Sequence, residues 1–260
     1  APWHGGASAD VIVFRPRGSQ IIDSQFLFYF LSSDAFVNST VTASKGTKMP
    51  RGDKDAMRNY ELSLPPLPTQ QKIVSVLSAY DDLIENNQRR IKILEEIAQN
   101  LYQEWFVKFR FPGHETANFV DSPLGKIPEG WEGEGMMMNK NWSFLKQNIK
   151  SFQGRKRYFA TADIKGIHIT GEGILYAYDE KPSRAQKQPT LYSVWFARMQ
   201  ETYKVMGVGR TNAITAGSCM LSSGFSGLES PDEESFAFLF LTIKSEDFHA
   251  NKDRFCTGAT

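Results

Sequence analysis

The run Gly154-Arg-Lys-Arg-Tyr158 places three cations and an aromatic ring in consecutive positions. Such a run can neutralise phosphates and reach base edges, which is chemistry suited to a nucleic acid. A polar stretch with Arg184, Gln186, Lys187 and Gln188 follows, and glycine-flanked turns hold Arg210, Asn212 and Ser223. The candidate DNA contacts here are Arg155, Lys156, Arg157, Tyr158, Arg184, Lys187, Arg210, Asn212 and Ser223. Lys45, Lys48 and Arg51 form a smaller basic set near a glycine-threonine turn. For each residue the plain alternative is ordinary solvated surface charge. The charge distribution bears on that choice. Residues 139–212 carry 13 basic and 5 acidic side chains, within a chain whose net charge is only +1. A local excess of that size suits a polyanion held by one face.

Other chemistries lack their residues. Adenine methyl transfer would need an Asn/Asp-Pro-Pro-Tyr/Phe motif and a glycine-rich cofactor loop, and Gly207-Val-Gly209 is too short to serve. A metal-dependent nuclease would need paired carboxylates with a nearby lysine. Pro231-Asp-Glu-Glu234 has the acids, but Lys244 follows Thr242-Ile243 rather than a carboxylate. The four histidines and two cysteines have no zinc-ligand spacing. No catalysis, resident cofactor or metal is expected.

The elements that would position these residues fall into four segments: 1–64, 65–111, 112–138 and 139–260. The first mixes a β-rich run, Val11-Ile-Val-Phe14, with an aromatic stretch, Phe26-Leu-Phe-Tyr-Phe-Leu31, expected to be a buried helix. The proline knot Leu64-Pro-Pro-Leu-Pro68 stops what precedes it, and Thr69 is the expected N-cap of a long helix. That helix shows the clearest periodicity in the chain. Ile73, Leu77, Tyr80, Ile84, Asn87, Ile91, Leu94, Ala98, Leu101 and Trp105 follow one another at spacings of four and three. This is the a/d seam of a coiled coil, ending near Pro112-Gly113. A partner helix along the seam, or the protein's own globular core, would cover it. Asn87 either fixes register there or sits partly exposed. Segment 112–138, rich in Pro and Gly, reads as a linker with a Met-rich junction at 136–138. Segment 139–260 alternates apolar residues with glycine turns, as an α/β module does. The expected fold class is therefore α/β (α+β), with α/β modules joined by a long coiled-coil helix.

An internal repeat supports two related modules. Phe26-Leu-Phe-Tyr-Phe-Leu31 matches Phe236-Ala-Phe-Leu-Phe-Leu241 at an offset of 210 residues; after a two-residue slip, Phe36 pairs with Phe248 and Gly46 with Gly258. The period is too long for a solenoid.

These features together resemble the specificity subunit of type I restriction–modification systems. The resemblance rests on Ser44-Lys-Gly-Thr-Lys-Met-Pro-Arg51, Leu62-Ser-Leu-Pro-Pro-Leu-Pro-Thr-Gln-Gln-Lys-Ile73, Tyr80-Asp-Asp-Leu-Ile-Glu-Asn-Asn-Gln-Arg-Arg-Ile91, Leu101-Tyr-Gln-Glu-Trp-Phe-Val107 and Pro123-Leu-Gly-Lys-Ile-Pro-Glu-Gly-Trp-Glu132. It implies target-recognition domains that each read half of a split site on double-stranded DNA, with conserved helices spacing them. It also implies methyltransferase subunits and a restriction/motor subunit as partners, and these would supply S-adenosylmethionine, Mg and ATP chemistry. On this pattern residues 1–64 are the C-terminal part of a first target-recognition domain, and 65–111 the conserved spacer helix. Residues 139–260 are then the second recognition domain. Set against a whole subunit, the sequence reads as a fragment or rearranged form. Its unmatched seam is expected to make a homodimer through the long helix, or to take a methyltransferase subunit.

The opening Ala-Pro-Trp-His-Gly-Gly lacks the basic start and apolar stretch of a signal peptide. No run approaches the roughly 20 apolar residues of a membrane span. With two cysteines and no disulfide framework, the expected location is cytoplasmic, with no membrane partner. The competing reading is a coiled-coil scaffold or adaptor that does not read DNA.

Overall fold

The structure, a computed structural model, describes residues 8, 11–18, 20–44, 52–123, 125–133, 140–146 and 148–256. The chain divides into two compact units, Ala1–Ile93 and Leu94–Thr260, with the division inside the long helix.

The first unit is helical. Helix α1 (Ser24–Leu31) starts where Asp23 accepts hydrogen bonds from the Gln25 and Phe26 backbone N–H groups; α2 (Asp34–Thr42) starts at Ser33, which accepts from Phe36 N. A third, short helix α3 (Lys54–Arg58) is capped by Asp53. Each cap satisfies donors that a helix start leaves unpaired. A small aromatic cluster gathers around the buried Phe36, whose ring meets Phe14, Phe30 and Tyr60. Two expectations change here. Residues Val11 to Phe14 form no strand and lie open, because no described strand of this unit stands beside them. The aromatic stretch is helical but not buried, and Phe28 is 60% exposed.

The long helix α4 spans Leu67–Tyr102, 36 residues, so it is about 54 Å long. It starts two residues before the expected Thr69 cap, with Thr69 and Gln70 N–H donating to Pro66 O. Pro68 fits in the first turn, where no backbone donor is required. Gln70 is fully buried and clamps α4 to the start of α1. Its Oε1 accepts from Asp23 N at 2.9 Å, and its Nε2 donates to Ile21 O and Pro65 O. Farther along, the Tyr29 hydroxyl donates to Asp81 at 2.6 Å.

In the second unit the helix continues through a π-helical turn, Gln103–Val107, and ends at Phe109, whose φ is +56°. Trp131 packs against Phe106, Phe109 and Phe111, which fixes that ending. The segment expected to be a linker holds a β-hairpin, β1 (Phe119–Ser122) with β2 (Gly125–Pro128). Its Gly and Pro residues mark turns, including Gly113 and Gly125 at positive φ, rather than a loose tether.

Residues 140–256 build a layered α/β body. One sheet joins β3 (Ser143–Phe144), β9 (Ser193–Ala197), β10 (Val205–Val208) and β12 (Phe225–Glu229) in the order β10-β9-β12-β3. The other joins β4 (Lys156–Phe159), β7 (Ile174–Tyr176), β8 (Ala185–Lys187) and β11 (Cys219–Ser222) in the order β7-β4-β11-β8. Only β4 and β11 run parallel. A small ribbon, β5 (Ile164–Lys165) with β6 (His168–Ile169), and a distorted turn, α5 (Thr215–Ser218), complete the connections.

Strand alternation explains the layers. In β9, Trp195 and Ala197 point into the core shared with Phe159, Cys219 and Leu221 of the other sheet, while Val194 and Phe196 point away. That outer side is covered by α6 (Glu233–Lys244) and α7 (Glu246–Arg254), through Leu239, Ile243, Phe240 and Phe248. Gly227 is required in β12, since a Cβ there would stand 2.6 Å from the Trp195 ring. The second sheet's far side is closed by Ile149, Phe152, Tyr158 and Tyr176.

The helix pairs of the two units share their capping chemistry, which corrects the repeat. Ser245 caps α7 through Phe248 N as Ser33 caps α2 through Phe36 N. Each serine hydroxyl also donates to the carbonyl three residues earlier. Counting back from these caps with no slip pairs Phe26-Leu-Phe28 with Phe238-Leu-Phe240, an offset of 212 throughout. The matching Gly46 and Gly258 lie outside the described residues.

Candidate nucleic-acid interface

Strand β4 presents the central basic run, and its residues are held differently. Arg155 is exposed and pairs with Glu180 at 3.3 Å. Lys156 is half-buried, donating to Gln188 Oε1 at 2.7 Å and lying 4.7 Å from the Phe152 ring centre. Burial pulls its pKa below the usual lysine range, although nearby Cys219 acts in the opposite sense. The Arg157 guanidinium donates to the carbonyls of Glu172 and Gly173, bracing the edge of the sheet at β7. Tyr158 packs its ring 6.4 Å from Tyr176, in the outer apolar cluster.

The remaining candidates divide similarly. Lys187 reaches Asn148 Oδ1 at 3.1 Å and Lys146 O at 3.4 Å. Asn212 closes its own turn, its Oδ1 accepting from Gly209 N and its Nδ2 donating to Gly207 O. Arg210 pairs with Glu233 at 3.4 Å. Arg184 and Ser223, by contrast, line one concavity of about 420 Å3, together with Thr161, Arg198, Met199, Ser222 and Gly224. Arg198 escaped sequence reasoning. It belongs to the basic stretch 139–212, yet it follows a strand of five buried residues, so its emergence at the strand's open end was hidden. Lys45, Lys48 and Arg51 lie outside the described residues.

The long helix presents a second surface. Ile73, Leu77, Tyr80, Ile84, Asn87, Ile91, Leu94 and Leu101 are all exposed, and Ala98 and Trp105 are half-buried. Val76, Leu83, Ile93 and Ile97 are exposed as well, so the apolar surface is wider than the a/d seam. Only Val74 and Tyr102, with Gln70, are buried along it. Tyr102 and Phe106 meet the Phe238 ring of α6 at 5.7 and 4.7 Å, and Glu95 pairs with Lys244 at 3.3 Å.

Among the described residues no group of three His, Cys, Asp or Glu side chains could hold a metal ion, and no helix is long and apolar enough to cross a membrane. Cys219 is buried within the core, which pushes its thiol pKa up to about 12 and leaves it a neutral packing group.

Comparison with known proteins shows what the chain is similar to. Residues 6–96 match the family model described as the type I restriction modification DNA specificity domain. The chain is 33% identical over 128 residues to the MjaVIII specificity subunit of Methanocaldococcus jannaschii, covering 49% of this chain and 29% of that one. It is 34% identical over 147 residues to the MjaIX specificity subunit of the same organism, covering 56% and 33% respectively. The HindI specificity subunit of Haemophilus influenzae is 33% identical over 104 residues, covering 39% and 22%. Among solved structures, the HsdS subunit from Thermoanaerobacter tengcongensis aligns over 92% of this chain and 56% of its own, with a TM-score of 0.33 and 17% identity.

The resemblance drawn from the sequence motifs is borne out as a similarity: residues 6–96 match the type I specificity domain, and the chain mixes helices and sheets and contains a long helix. It spans about a third of the length of the curated relatives it matches.

Proposed function

We propose that this chain reads DNA as part of the specificity subunit of a type I restriction–modification complex. It would position methyltransferase and restriction/motor subunits on a bipartite site in double-stranded DNA. The observation that carries this reading is the specificity-domain match over residues 6–96, which includes most of α4. The basic surface of the second unit supports it. The chain itself performs no catalysis in this reading, and S-adenosylmethionine, Mg and ATP act on the partner subunits in the cytoplasm.

The domain assignment follows the same reading. Residues 1–64 are part of one target-recognition domain, 65–111 the spacer helix, 112–138 the connection and 139–260 the second recognition domain. The exposed stripe on α4 receives a second helix, and in isolation that helix comes from a second copy of the chain. A helix of this length with a stripe left in water would forfeit most of the stabilisation that an amphipathic face supplies.

Co-expression with a type I methyltransferase subunit tests the assignment. The expected outcome is a stable complex that binds duplex DNA. A complex that forms and ignores DNA would support the adaptor reading instead.

A further inference from the structure

We propose that the concavity formed by Thr161, Arg184, Arg198 and the turn Ser222–Gly224 is a phosphodiester-binding site that grips the DNA backbone. The proposal rests on the reading of the chain as a DNA-binding one, and adds to it a site and a residue, Arg198, that residue patterns do not reveal.

Several observations point the same way. The concavity lies where strand ends of both sheets converge: Thr161 follows β4, Arg198 follows β9, Ser222 ends β11 and Arg184 precedes β8. One turn holds the two arginines at the backbone. Ser223 N donates to Arg184 O at 2.8 Å, and Arg198 N donates to Gly224 O at 2.9 Å. The turn is itself braced by Gly224 N donating to the buried Ser222 hydroxyl at 3.2 Å. The backbones that carry the two arginines, on separate elements, are thus tied to a common anchor, so both side chains leave from fixed points beside the concavity.

Charge completes the argument. No carboxylate lines the concavity. Neither arginine side chain has a hydrogen-bond or ion-pair partner among the described residues, and both are exposed. Several other basic groups near the sheets are occupied: Arg155 by Glu180, Arg157 by two carbonyls, Lys156 by Gln188, Lys204 by Thr161 O and Arg210 by Glu233. Like-charged guanidinium groups with no counter-charge attract an anion. Their forked donors suit phosphate oxygens better than a lysine does. The Ser223 and Thr161 hydroxyls add neutral donors at the rim. A phosphate contact fixes the register of the module on the duplex and carries no base preference.

The test needs no knowledge of the recognised sequence. Binding of the full chain to a mixed-sequence DNA duplex is followed by fluorescence anisotropy across salt concentrations of about 50–200 mM. Each of R184Q and R198Q is expected to reduce the log–log salt slope by about one, and the double variant by about two. R198K is expected to keep the slope. Both side chains lack partners to lose, so circular dichroism and Tm should match the parent chain. If the parent binds with a salt slope that the double variant leaves unchanged, the site is wrong although the chain binds DNA. If the parent shows no salt-dependent DNA binding, the DNA-reading function fails, and the site with it.

Discussion

His249 is a buried side chain whose titration bears on stability. It is buried between the rings of Tyr203 and Phe248, and its Nδ1 has no hydrogen-bond partner among the described residues. Burial first, then the charge of Lys252, holds its pKa below the ordinary 6.5, with Asp253 opposing them. A lowered histidine pKa means that the unfolded chain takes up the proton first. The contribution of this group is therefore complete above about pH 6.5 and is lost as the pH falls toward the lower folded value. Tm should drop more steeply between about pH 7 and pH 5 in the parent chain than in H249F; parallel slopes would contradict the assignment. Gln70 makes a second residue-scale case. Replacing it with Leu removes three hydrogen bonds and leaves two carbonyls and one amide buried, at a cost of roughly 1–3 kcal/mol in denaturant unfolding. An unchanged midpoint would mean that water replaces the clamp. At this scale the sequence was legible in type but not in engagement. Arg157 and Asn212 have the donors of base readers, yet Arg157 donates to carbonyls beside β7 and Asn212 to its own turn, partners whose positions only the fold determines.

Helix α4 was legible almost in full because its period of three and four persists along the helix, and tertiary contacts had only to leave it intact. Its first residue was misplaced because a proline in the first turn is a helix starter as well as a stop signal. The hairpin of β1 and β2 was read as a linker for a related reason: Gly and Pro mark tight turns and loose chain alike, and only the pairing of Phe119 with Pro128 separates them. Strands of two to five residues are too short to declare an alternation on their own, so the second module was visible as α/β but not strand by strand. The stripe on α4 carries this scale's prediction. Light scattering of the isolated chain should give twice its 29.4 kDa mass, and placing glutamates at Leu77, Ile84 and Ile91 should return it to a monomer. A parent chain that is monomeric at micromolar concentration would leave no role for a second copy.

At the scale of the molecule, the two helix pairs share Ser-capped geometry and an aromatic repeat, and the long helix belongs in part to each compact unit. The central claim, that the chain specifies where a complex acts on DNA, is tested most directly by mapping adenine methylation in cells. The chain would be co-expressed with a type I methyltransferase subunit, and the mapping repeated after residues 139–260 are exchanged for another recognition module. The account predicts a bipartite methylated motif that depends on the chain, with one half altered by the exchange and the other preserved. Methylation absent while the complex forms, or a motif indifferent to the exchange, would contradict it.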